Sequence, residues 1–224
     1  MNLKKCWGKH LLIIIFSTFL SGEVYSKTSL ESILSGQKIS KPSIKRIHEL
    51  VAKNPKDSIR VLLNVAKNKQ FPDRSRWLSL ILVGKTMGKR SIPLMVKYLK
   101  HRNWMLRSAA VKSLKSLRSK TPTEGYRALL KDSSYVIRQQ ALDAIATLKI
   151  YDLKLDVLKM IGDSSNYIKT PNGKTASQVV KKVIETLATL KVREAIPLLK
   201  KLKSSNISIN VRKDIDKAIK NIRI

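Results

Sequence analysis

The stretch YVIRQQALDAIATL, residues 135–148, has two shortened relatives in the same chain. Upstream stands WMLRSAAVKSLKSL, residues 104–117, and downstream INVRKDIDKAIKNI, residues 209–222. Aligning the copies on one apolar position gives Val83, Leu114, Ile145, Leu187 and Ile219, separated by 31, 31, 42 and 32 residues. Four residues earlier stand Ser79, Ala110, Ala141, Val183 and Ile215, and three residues later Thr86, Leu117, Leu148, Leu190 and Ile222. Positions −4, 0 and +3 lie on one face of an α-helix, so this column predicts five helices that bury the same stripe. Seven residues before the column stand Arg76, Arg107, Arg138, Val180 and Arg212, an Arg in four of five units.

Each of these helices follows another. Leu99, Leu130, Ile161 and Leu202 recur in RSIPLMVKYLK, TEGYRALLK, LKLDVLKMIG and REAIPLLKKLK. The Ile92-Pro93 and Ile196-Pro197 pairs fall in a first turn, where proline's missing N–H costs nothing. Short polar turns, KHRN, KDSS and KSSN, separate first helix from second. One such pair cannot bury its apolar stripe alone, whereas stacked pairs share a continuous core.

This pattern resembles the HEAT repeat in its short bacterial form, like that of the phycobilisome-lyase proteins. The resemblance rests on the polar turn, the Arg entering the second helix, and the small and apolar positions after it, over roughly residues 58–222. It implies an all-α, armadillo-type α-solenoid of about five helix pairs, with the second helices on the concave side. It also implies that Arg76, Arg107, Arg138 and Arg212 bond turn carboxylates or carbonyls between neighbouring repeats, and that the interface at Val180 is looser. The fourth unit carries an insertion of 11 residues within GDSSNYIKTPNGKTAS, residues 162–177, with a turn at Pro171-Asn172-Gly173.

Ahead of the repeats the chain is less regular. Thr28-Ser29-Leu30-Glu31 is a capping-box pattern, and PSIKRIHELVAKN, residues 42–54, reads as a helix with Pro42 in its first turn. Residues 27–57 are therefore expected to cap the 58–224 solenoid. Residues 1–26 read as a signal peptide. Lys4, Lys5 and Lys9 precede the apolar run LLIIIFSTFL, and Val24 and Ser26 fit a cut after Ser26. The run is shorter than the roughly 20 residues a spanning helix needs. Cys6, the one cysteine, precedes the apolar run, which argues against a lipid anchor. Cleavage removes it, so a periplasmic or secreted mature chain would have no disulfide, thiol nucleophile or cysteine metal site.

Charge is the strongest functional signal. The formal net charge is +31, and +29 without residues 1–26. From Arg74 through Thr123 there are 13 Lys and Arg and no acid. Such an excess attracts polyanions. Lys112 and Lys115 on one second helix, Lys181 and Lys182 on another, and Lys213, Lys217 and Lys220 on the last could form a cationic groove. The expected partner is an acidic protein or an envelope polyanion, either anionic wall polymer or lipid head groups. A monomer is expected.

Catalytic candidates are few, and no cofactor or metal site is expected. His48 and His101 stand in separate units. Asp152 and Asp156, one turn apart, serve the helix dipole better than a cation. Gly173-Lys174-Thr175 is not a P-loop, because Ile168 stands where that motif needs Gly. Trp77 and Trp104 are read as packing between units. The rival class is a nucleic-acid protein related to HEAT-like DNA glycosylases. A signal peptide argues against it, and Asp132, Asp143 and Asp156 occupy ordinary solenoid positions.

Overall fold

The computed structural model describes residues 30–36, 38–169, 175–176 and 178–224. The proposed signal peptide, Thr28 and Ser29 of the capping box, and the Pro171-Asn172-Gly173 turn lie outside them. Residues 30–35 are helical, followed by α1 (Lys41–Lys53), α2 (Pro55–Lys67) and α3 (Asp73–Met87). The chain continues through α4 (Ile92–Tyr98), α5 (Trp104–Ser116), α6 (Thr123–Leu129), α7 (Tyr135–Leu148) and α8 (Lys154–Lys159). It ends with α9 (Gln178–Thr189), α10 (Ala195–Lys203) and α11 (Ile209–Arg223). The pairs α2/α3, α4/α5, α6/α7, α8/α9 and α10/α11 are the five repeats. In the insertion, β1 (Ile168–Lys169) pairs antiparallel with β2 (Thr175–Ala176).

The helices begin where the sequence supplies caps. Ser40 accepts from Ser43 N, Asn103 from Met105 N and Ser208 from Val211 N, and Pro42, Pro55 and Pro93 occupy first-turn positions. Their ends are less expected. Arg118, Lys149 and Lys191 follow α5, α7 and α9 with φ of 53°, 53° and 55°. The next amides, of Ser119, Ile150 and Val192, reach back to the carbonyls of Leu114, Ile145 and Leu187. This is the left-handed C-cap that glycine normally supplies, and Gly88 supplies it after α3. A basic side chain there complements the negative end of the helix dipole, which offsets part of the backbone strain.

The contact pattern divides the chain into two compact units, Met1–Thr86 and Met87–Ile224. In the first, α1 packs on α2 around Ile47, Val51, Val61, Leu62 and Val65. In the second, the second helices pack in sequence order, α5 on α7, α7 on α9 and α9 on α11. First helices cover them, with α4 on α5, α6 on α7, α8 on α9 and α10 on α11. In each unit the repeat column lines the core. Of its fifteen residues, only Thr86, Leu117 and Ile219 escape full burial. At roughly 25 cal/mol per Å² of apolar surface removed from water, this shared stripe is the main favourable contribution to folding.

Candidate interaction surface

The arginines at the starts of the second helices act as ties between turns. Arg107 forks onto Asp132, with Nε to Oδ2 at 2.7 Å and Nη2 to Oδ1 at 2.6 Å. Its Nη1 donates to the carbonyls of His101 and Arg102. One guanidinium thus joins its own turn to the next, and both partners are nearly buried, at 12% and 7% side-chain exposure. Asp132 also accepts the Ser134 amide. Arg138 repeats the arrangement with carbonyls, Asp132 O at 2.7 Å and Ser165 O at 3.1 Å, the latter in the following repeat. Arg212, in the last repeat, bonds Ser205 O of its own turn. Arg76, in the first unit, bonds Asp73 and Ala66 O. The arginines of the column therefore divide, with Arg107 and Arg138 crossing to the next repeat and Arg76 and Arg212 holding local turns. Val180 is buried and apolar, so no such tie leaves the start of α9.

The seven lysines expected to form a cationic groove also divide, three of them meeting acids on neighbouring helices. Lys115 on α5 meets Asp143 on α7 at 2.5 Å. Lys182 on α9 lies 3.9 Å from the same carboxylate and 2.8 Å from Glu185. Lys181 lies 3.9 Å from Asp214 on α11. These three are partly neutralised because adjacent second helices place acids opposite them. Lys112 is exposed on α5 and has an interaction partner. Lys213, Lys217 and Lys220 recur at i, i+4 and i+7 on α11, exposed and opposite the buried stripe Val211, Ile215, Ala218 and Ile222. They form no ion pair with any described residue.

The sequence had set aside Asp132, Asp143 and Asp156 as ordinary positions, but all three link repeats. Asp156 accepts from Arg127 Nε at 3.1 Å, and Arg127 also pairs with Glu124. Both carboxylates raise the Arg127 pKa, with Glu124 contributing most. Asp156 thus serves an ion pair between α6 and α8 instead of joining Asp152 in a chelate. Among the described residues no cluster of His, Cys, Asp and Glu could hold a metal. His48 is exposed, while the His101 ring stacks on Tyr98 and accepts the Asn103 amide at Nδ1. Trp104 is 46% exposed at the start of α5, so it is only half used in packing. No helix of the described residues is long and apolar enough to cross a membrane.

No sequence motif marks the cavities, of which the more apolar lies between first helices. Between α8 and α10 an open groove of about 490 Å³ is floored by Leu158, Ile161, Leu198 and Leu202, with Lys159 and Lys201 in its walls. Tyr167 lines it too, its hydroxyl tied to Ile161 O and its pKa raised by burial.

Paired helices with a repeating column, polar turns and turn-tying arginines define an α-solenoid of HEAT-like helix pairs. The family model for HEAT repeats matches residues 59–146. Comparison with curated proteins returns no match. Among solved structures the chain is similar to an engineered protein at 16% identity and a TM-score of 0.54, with 91% of each chain covered. At that identity the likeness concerns the fold alone.

Proposed function

We propose that this protein is an exported, non-enzymatic scaffold that binds an acidic protein through its basic repeat surface. HEAT repeats are helical scaffolds suited to protein interaction, and the reading beyond that rests on how the charges are distributed. Residues 87–224 hold 30 Lys and Arg against 10 Asp and Glu. Eight of those ten acids, all but Asp152 and Asp163, already form ion pairs. Asp163 is occupied in its own turn, where Ser165 bonds hold its carboxyl below the ordinary pKa. The internal ties consume the negative charge and leave an excess of cations toward solvent. The Lys213, Lys217 and Lys220 stripe is the most orderly part of that excess, spanning about 10 Å along α11.

Attraction of this kind is long-ranged and weakens as salt shortens the Debye length. Capture of acidic proteins from an envelope extract by the purified protein, at low and at high salt, tests the reading. Capture is expected at low salt, with severe loss both at high salt and in the triple variant Lys213→Glu, Lys217→Glu, Lys220→Glu. Salt-independent capture would defeat the Coulombic basis. Retention of nucleic acid in place of protein would move the molecule to the nucleic-acid class. N-terminal sequencing tests export: an envelope species beginning at Lys27 supports it, and an intact Met1 in the cytosol contradicts it.

A further inference from the structure

We propose that the groove between α8 and α10 is a second docking site, for one amphipathic helix of an acidic partner protein. This inference rests on the acidic-partner reading but assigns it a different surface and an apolar anchor.

The groove opens where the turn ties stop. Arg107 and Arg138 each reach the following repeat's turn from the start of their second helix. The equivalent position on α9 is Val180, which cannot reach the turn after α10. The tie that α8 and α10 do have is Lys154 to Glu194 at 3.0 Å, near the first turns of both helices. Toward their other ends, Leu158 and Ile161 face Leu198 and Leu202 across the opening. Leu198 is 42% exposed and shares the groove with Leu158, Ile161 and Leu202. Apolar groups gathered in one open groove mark an interaction site more often than singly scattered ones do.

The shape selects the occupant. A site that takes a small ligand encloses most of its surface. This one is open, lined by the last residues of α8, the C-terminal half of α10 and the turns that follow them. An open apolar groove between two helix ends takes the apolar stripe of a docked helix, whose anchors recur at i, i+3 or i+4, and i+7. The charges select its sign. Among the described residues, Lys159 and Lys201 are the charged ones that line the groove, one from each side, and no acid lines it. A helix with an apolar stripe flanked by Asp and Glu complements both features. A second copy of this chain would bring its own positive excess, and the apolar N-terminal run is flanked by Lys4, Lys5 and Lys9, the same sign as the groove walls.

The test uses a labelled, helix-stapled peptide with Leu at three groove-spaced positions and Glu on both flanks. Its affinity for the full chain is read by fluorescence anisotropy. Controls are a scrambled peptide of the same composition and a Lys-for-Glu counterpart. The amphipathic acidic peptide should bind, with the scrambled peptide about tenfold weaker and the basic one undetectable. Leu198→Glu, at an exposed position where folding is not at stake, should weaken binding about tenfold or more. Lys159→Glu with Lys201→Glu should transfer preference to the basic peptide, and Lys213→Glu with Lys217→Glu should weaken binding far less than Leu198→Glu does. Equal binding of scrambled and amphipathic peptides, lost in the Lys213/Lys217 variant, overturns the groove while leaving the basic-surface reading standing. No binding of any acidic peptide at low salt overturns both. A dimer abolished by Leu198→Glu would give the groove to a second copy. Leu198-dependent capture of phosphatidylglycerol vesicles without peptide binding would give it to a lipid.

Discussion

The interface at Arg107 and the interface at Val180 belong to the same repeat scheme, and they hold their turns in opposite ways. At the first, a nearly buried guanidinium forks onto Asp132 and also holds the carbonyls of its own turn. At the second, a buried valine occupies the same register, the 11-residue insertion precedes it, and an apolar groove lies open between α8 and α10. The second-helix layer is continuous across both, since α5, α7, α9 and α11 pack in order. The core therefore stays joined where the arginine is absent, and the first-helix edge beside that position carries the groove.

The largest expected effect breaks the tied interface. Asp132→Ala leaves the Arg107 charge nearly buried with only carbonyl partners, and should cost about 3–5 kcal/mol in chemical denaturation. A cost under about 1 kcal/mol would mean the fork is incidental. Arg138→Ala removes charge-assisted bonds to three carbonyls, of Asp132, Ser133 and Ser165, and should cost about 1.5–3 kcal/mol by the same measurement. Comparison with Val180→Ala, which touches no turn tie, then separates tie from packing. Asp143→Ala strips the carboxylate that Lys115 and Lys182 share across the second-helix layer. These partners are a third or more exposed, so the expected cost is about 0.5–1 kcal/mol, shrinking as salt is added. A salt-independent loss would place that layer's cohesion elsewhere.

The smallest effect concerns the tie that remains beside the groove. Glu194 is held below its ordinary pKa of 4.5 by a backbone amide bond and then by Lys154. A depressed carboxyl contributes stability above its unfolded pKa and loses it as pH falls through the folded one. Thermal unfolding from neutral pH to below pH 4 should therefore fall less steeply for Glu194→Gln than for the parent. An identical acid limb would show that Lys154–Glu194 does not hold the groove edge. The same variant should leave stability at the Arg107 interface untouched, since separate sites add independently.

Much of this was legible in the sequence for definite reasons. A helix pair repeating near 31 residues must place the same residues in the core, so Val83, Leu114, Ile145 and Leu187 are buried as the column predicts. The gap in the arginine column at Val180 was readable as well. Charge pairing was not. Lys115 and Asp143 are 28 residues apart, and Lys181 and Asp214 are 33 apart, in a pattern that no single helix reveals. The left-handed caps escaped notice because Arg118, Lys149 and Lys191 stand where glycine would have signalled them.

The sequence by itself determined the helices, their pairing and their common core, because hydrophobic periodicity is a local property that burial must respect. It also determined the net charge, which is a sum and needs no geometry. The tertiary structure alone decided which charges are consumed internally and which face solvent. It alone decided that the missing tie at Val180 becomes an apolar groove between two lysines. Those outcomes depend on which helix faces meet, and contact between residues distant in sequence is set by packing, beyond the reach of any periodicity.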